Sequence, residues 1–150
     1  MRKYIRHRRN GAAIAELAAA FALLIPLVAL TAWAVVEASQ AYMIHGALHQ
    51  CALTAARKLA IAYGYDRAAA MSNPNATFST VRFGGIVNDN SQFTIPDGTA
   101  GWNTTAEPPT VTVVCQFHPG QHGLQELPNP DPLHLGNTFV LQAQATCRLE

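Results

Sequence analysis

The 150-residue sequence predicts an α+β fold: one long N-terminal helix, a membrane span continuing into an amphipathic half, packed on a small, mostly antiparallel β-sheet. Three observations predict it. Residues 12–36 are almost entirely apolar, residues 37–72 keep apolar side chains at helical spacing, and after Pro74 the composition turns to Thr, Val, Gly, Asn and Pro with a period of two. The chain accordingly divides into a basic leader (1–11), a transmembrane helix (12–36), its amphipathic extension (37–72) and a small extracytoplasmic β-rich domain (73–150).

Charge fixes the expected topology. Arg2, Lys3, Arg6, Arg8 and Arg9 all precede Gly11, whereas the other five basic residues (Arg57, Lys58, Arg67, Arg82, Arg148) face nine acids, a side-chain balance of −4 beyond Gly11. A basic flank ahead of a first apolar run is the positive-inside pattern. It puts the N-terminus in the cytoplasm and the C-terminal domain outside, in a single-pass protein of the inner (cytoplasmic) membrane whose first partner is lipid. The basic run is short and is explained by topology, so no nucleic-acid partner is expected. Beyond the leader and span about 114 residues remain, too few for a large enzyme core.

The apolar segment has 25 residues, and at ~1.5 Å rise per residue it reaches ~37 Å, enough to cross a hydrocarbon core of ~30 Å with some tilt. Ten of its residues are Ala, which favours helix but buries little surface, so this is a weak anchor. Pro26 removes a backbone hydrogen bond to Ala22 and is expected to kink or loosen the span. Glu16 is its one carboxylate. Holding such a charge at membrane depth costs ~2.5–3.5 kcal/mol at the centre and less near an end, so Glu16 is expected to have a function and a positive partner.

A secretory signal peptide also starts with basic residues and an apolar run, and Ala32-Trp33-Ala34 offers a small-x-small cut site. Against it stand the length of the apolar run, the early Glu16, and helical periodicity that continues through Ala34.

From Glu37 onward Ala41, Ile44, Leu48, Cys51, Ala55, Leu59 and Ala62 form one stripe, with Gln40, Gln50, Arg57 and Lys58 opposite. Gly64 begins the fraying and Ser72-Asn73-Pro74-Asn75 is expected to end any helix. Residues 110–118 alternate, Val111, Val113, Cys115 and Phe117 on one side. Residues 138–149 alternate more cleanly, with Phe139, Leu141, Ala143, Ala145, Cys147 and Leu149 inward. Residues 77–87 and 92–95 are weaker strand candidates, and 97–109 and 119–136 are expected to be irregular loops.

Cys115 and Cys147 both point inward on candidate partner strands in an oxidising compartment, so a Cys115–Cys147 disulfide is expected, with a bridge from Cys51 to either as competitor. His45 and His49 are four apart on one helical face, and His118, His122 and His134 crowd the second loop, but neither group has Cys or carboxylate partners in register. No metal and no cofactor is expected. No Ser-His-Asp order, phosphate-binding glycine loop or zinc helix supports an enzyme.

A cut after Gly11 would give Ala12 a free amine and make Glu16 the fifth residue of the new chain. That arrangement resembles the class III leader of type IV prepilins. Gly11-Ala12-Ala13-Ile14-Ala15-Glu16-Leu17-Ala18 followed by Leu23-Leu24-Ile25-Pro26-Leu27 is similar to the TadE-like minor pilins, or pseudopilins, of tight-adherence (Flp-type) pilus systems. Leu17 stands where that family usually has an aromatic residue. The resemblance implies cleavage between Gly11 and Ala12 by a prepilin peptidase, an assembly role for Glu16, and partners in other minor pilins, the major pilin and the inner-membrane pilus assembly platform. The alternative from the residues alone is a permanently membrane-anchored extracytoplasmic binding or adaptor protein.

Overall fold

A computed structural model describes residues 2–81, 90–117 and 140–149, with side chains from Ala13 onward except at Asn90. The element order is a long helix α1 (Arg2–Tyr65), two short helices α2 (Arg67–Ser72) and α3 (Pro74–Phe78), strands β1 (Phe93–Thr94) and β2 (Trp102–Asn103), and two full strands β3 (Thr110–Phe117) and β4 (Leu141–Arg148). Short 3₁₀ turns at Asn90–Gln92 and Gly98–Ala100 precede β1 and β2. The sheet is antiparallel throughout. β3 is central, pairing with β4 along one edge and with β1 and β2, end to end, along the other.

The expected α+β architecture is present: one face of the sheet lies against α1. Alternation explains why. Val111, Val113, Cys115 and Phe117 are buried on β3, and Ala143 and Ala145 on β4, while Gln142, Gln144, Thr146 and Arg148 are exposed. On the helix the predicted stripe is the buried one: Leu48, Cys51, Ala55 and Leu59 are fully buried, with Ala52, Ala56 and Ala60 widening it. Small Ala side chains let the helix approach the sheet closely, and each large apolar side chain removed from water contributes about 1.5–3 kcal/mol. Outside that core, the hydroxyls of Thr112 and Thr146 meet at 2.9 Å across β3 and β4.

Further contacts fasten the C-terminal part of the helix and the short elements that follow it. The Tyr63 ring stacks on Trp102 of β2 at 5.7 Å between centroids, with the Arg67 guanidinium 5.3 Å above the same Tyr63 ring. Phe78 of α3 stacks on Phe93 of β1 at 5.1 Å. Lys58 Nζ donates to the Thr80 carbonyl at 2.7 Å and to its hydroxyl at 3.0 Å, tying the turn after α3 back to α1.

Four local expectations change. Asp66 accepts a bond from the Ala69 N–H at 3.0 Å and so caps a new helix, α2, one residue past the end of α1. The preceding helix does end at Ser72, capped by Asn73, but Pro74 then opens α3, since proline's fixed φ and missing N–H suit a first turn. Thr77 and Phe78 are therefore helical, not strand, and residues 82–89 of that strand candidate lie outside the described residues. Within the expected loop 97–109, Trp102 and Asn103 form β2, after which the Asn103 side chain accepts the Ala106 N–H at 3.0 Å and turns the chain towards β3. The loop 119–136, with His122 and His134, lies outside the described residues, as do His118 and Phe139.

Candidate functional site

Among the described residues, the stretch 13–32 of α1 is uncovered. Every residue from 13 to 33 is exposed, including Ile14, Leu17, Phe21, Ile25, Leu27 and Leu30, with Leu23 78 % accessible. A contiguous apolar surface of this extent is rare on a water-soluble monomer and is typical of a membrane- or protein-binding surface. The helix is long and apolar enough to cross a membrane. Two hydroxyls in and just beyond this stretch bond back to the helix: Thr31 Oγ1 donates to the Val28 carbonyl at 2.9 Å and Ser39 Oγ to the Val35 carbonyl at 2.7 Å.

The sequence-predicted residues fall along this half in order. Gly11 and Ala12 have helical backbone within α1, and their side chains are outside the described set. Glu16 is exposed on the same helix. Four helical residues rise ~6 Å and return to nearly the same face, so an amine at Ala12 would stand one turn from the Glu16 carboxylate on its own chain. The helix runs unbroken through Pro26 and through Ala32-Trp33-Ala34, where a signal-peptide cut would fall.

Glu37 is the residue sequence reasoning passed over. It is fully buried, although it stands where the apolar half gives way to the packed half. The signal was present: Glu37, Ala41, Ile44 and Leu48 step by four, three and four, so Glu37 is the first residue of the buried stripe and not merely its boundary.

The cysteines are not arranged as expected. All three are free thiols in this structure, Cys51 and Cys115 fully buried and Cys147 partly exposed. Cys115 faces Ala143 and Cys147 faces Val111. That is an offset of four residues along one ladder, about 13 Å at ~3.3 Å per residue. A disulfide needs Cα atoms roughly 4.4–6.8 Å apart, so the Cys115–Cys147 bridge is incompatible with this register. The error lies in register, not in pairing: both strands and both inward faces are as predicted. Burial pushes the Cys51 thiol up to about 11, and burial with repulsion from Cys51 pushes Cys115 up to about 12.

His45 and His49 line a groove with Val114, Gln142, Ala143 and Gln144. Among the described residues no group of three or more His, Cys, Asp or Glu is gathered closely enough to hold a metal ion. Comparison of the chain with protein-family models, curated proteins and solved structures yields no match.

Proposed function

We propose that this protein is a minor pilin, or pseudopilin, acting as a structural subunit or assembly factor of a tight-adherence type IV pilus. It is inserted in the inner membrane with its N-terminus in the cytoplasm, cut between Gly11 and Ala12 by a prepilin peptidase, and then drawn into contact with other minor pilins, the major pilin and the assembly platform. The observation that carries the reading is a single helix with two unlike halves. One is apolar, uncovered and marked by one carboxylate, Glu16; the other is fixed to a sheet by its buried stripe. A subunit of this kind leaves lipid by exchanging lipid contacts for helix contacts, and Glu16 supplies what lipid cannot satisfy: a charge whose partner is the new Ala12 amine, on its own chain or a neighbour. An Ala-rich half lowers the cost of leaving.

N-terminal sequencing of the membrane-extracted protein tests the first step. A chain starting at Ala12 is expected, and Gly11→Phe should leave the longer precursor, because a peptidase that binds the backbone closely there has no room for a side chain. An intact Met1 in the wild type would move the protein to the anchored-adaptor reading. Glu16→Gln tests the second step: membrane insertion and sheet folding should persist while co-purification with pilin partners and pilus number fall. Normal recruitment would reduce Glu16 to a tolerated charge.

A further inference from the structure

We propose that Cys51 and Cys115 form the disulfide of the mature protein, joining α1 to the central strand β3 and leaving Cys147 as its free thiol. Two landmarks place the pair. At one end, Tyr63 of α1 stacks on Trp102, which pairs with Val111 of β3. At the other, His45 and His49 of α1 share a groove with Ala143, the residue opposite Cys115. The helix therefore runs antiparallel to β3. Cys51 lies twelve residues before Tyr63, about 18 Å along a helix, and Cys115 lies four residues after Val111, about 13 Å along a strand. With long Tyr and Trp side chains at the first landmark, the two cysteines come to the same level. Both also point into the same core: Cys51 is on the fully buried stripe and Cys115 on the fully buried face of β3, within one core cluster. The repulsion that Cys51 exerts on a Cys115 thiolate is a separate sign of the same proximity. Cys147, opposite Val111, is four residues from this level and partly exposed.

The inference rests on the proposed topology for its oxidising compartment. The oxidant is a protein or small-molecule disulfide: one thiolate attacks it and releases one of its thiols, the second resolves the mixed disulfide and releases the other, and the two protons and two electrons lost as the Sγ–Sγ bond forms leave with those two thiol groups. Buried thiols that resist deprotonation exchange slowly, so the bond forms before α1 closes on the sheet.

The test is peptide mapping of the full chain, extracted from membranes under alkylating conditions without reduction, beside a sample unfolded, reduced and refolded with oxidised glutathione. Protease accessibility of spheroplasts reports the sidedness of the domain independently. The expected result is a Cys51–Cys115 linked peptide in both samples, alkylated Cys147, and a gel-mobility shift on reduction that Cys147→Ala keeps and Cys51→Ala loses. A Cys51–Cys147 or Cys115–Cys147 link overturns the pairing whatever the topology. Free thiols in the extracted protein overturn the native bond; a cytoplasmic domain in the same cells would trace that failure to the topology, and an external one to the geometry.

Discussion

Single residues set the tolerances of this fold, and two glycines illustrate opposite cases. A Cβ at Gly101 would meet the Pro96 carbonyl oxygen and, at 2.6 Å, Cγ2 of Ile95. Neither is the free end of a flexible chain, so Gly101→Ala should destabilise by about 1–3 kcal/mol through forced backbone movement. Gly46 lies inside α1 with nothing within 4 Å of the point where a methyl group would stand, so Gly46→Ala should stabilise by roughly 0.5–1 kcal/mol through helix propensity alone. Denaturant midpoints of the two variants in the same detergent decide both signs. The buried thiols give a pH dependence. In the fully reduced protein the Cys51 and Cys115 thiols are raised from 9.0 to about 11 and about 12, so the folded state keeps protons that the unfolded chain releases. Their contribution is complete below pH 9 and is lost as pH rises through 11 and 12. The midpoint of reduced protein should fall over that range, and fall less in Cys115→Ala.

At the scale of elements, what was legible is what depends on period. The helical stripe from Ala41 to Ala62 and the alternation of β3 and β4 follow from which face must leave water, and each has the predicted face inward. Register was not legible, because period two leaves a strand free to slide by any even number of residues without exposing its apolar face. That freedom is why Cys115 and Cys147 could be assigned to facing strands correctly and to each other wrongly. The short elements were missed for a different reason. β2 is two residues long and owes its place to Trp102 stacking on Tyr63, a contact 39 positions away in the chain. α3 depends on whether Pro74 ends or begins a turn, and the burial of Phe78 against Phe93 settles that. Glu37 shows how a charge can mask its own register: reading it as a boundary hid that it continues the stripe.

For the whole molecule, the decisive feature is that folding and exposure divide the same helix. Among the described residues, every buried member of the core cluster lies at or beyond Leu48, with Ile44 packed against it, and residues 13–32 are exposed. The two halves should therefore separate experimentally. A chain starting at Glu37 keeps the whole core cluster and the Tyr63–Trp102 and Phe78–Phe93 stacks while losing Leu23, Leu24, Ile25 and the rest of the uncovered apolar run. Each such side chain removed from water contributes about 1.5–3 kcal/mol to membrane partitioning, so their loss should abolish membrane binding. Tyr42, Met43, Ile61 and Tyr65 remain exposed on the outer face of the retained helix, but they are scattered, not contiguous. The expected outcome is a fragment in the soluble fraction with mixed helix and strand circular dichroism and one cooperative unfolding transition, beside a full chain that pellets with membranes until detergent is added. A folded fragment that still pellets would place the membrane-binding surface on the sheet domain, and would count against the proposed function, which needs the uncovered half of α1 as the anchor.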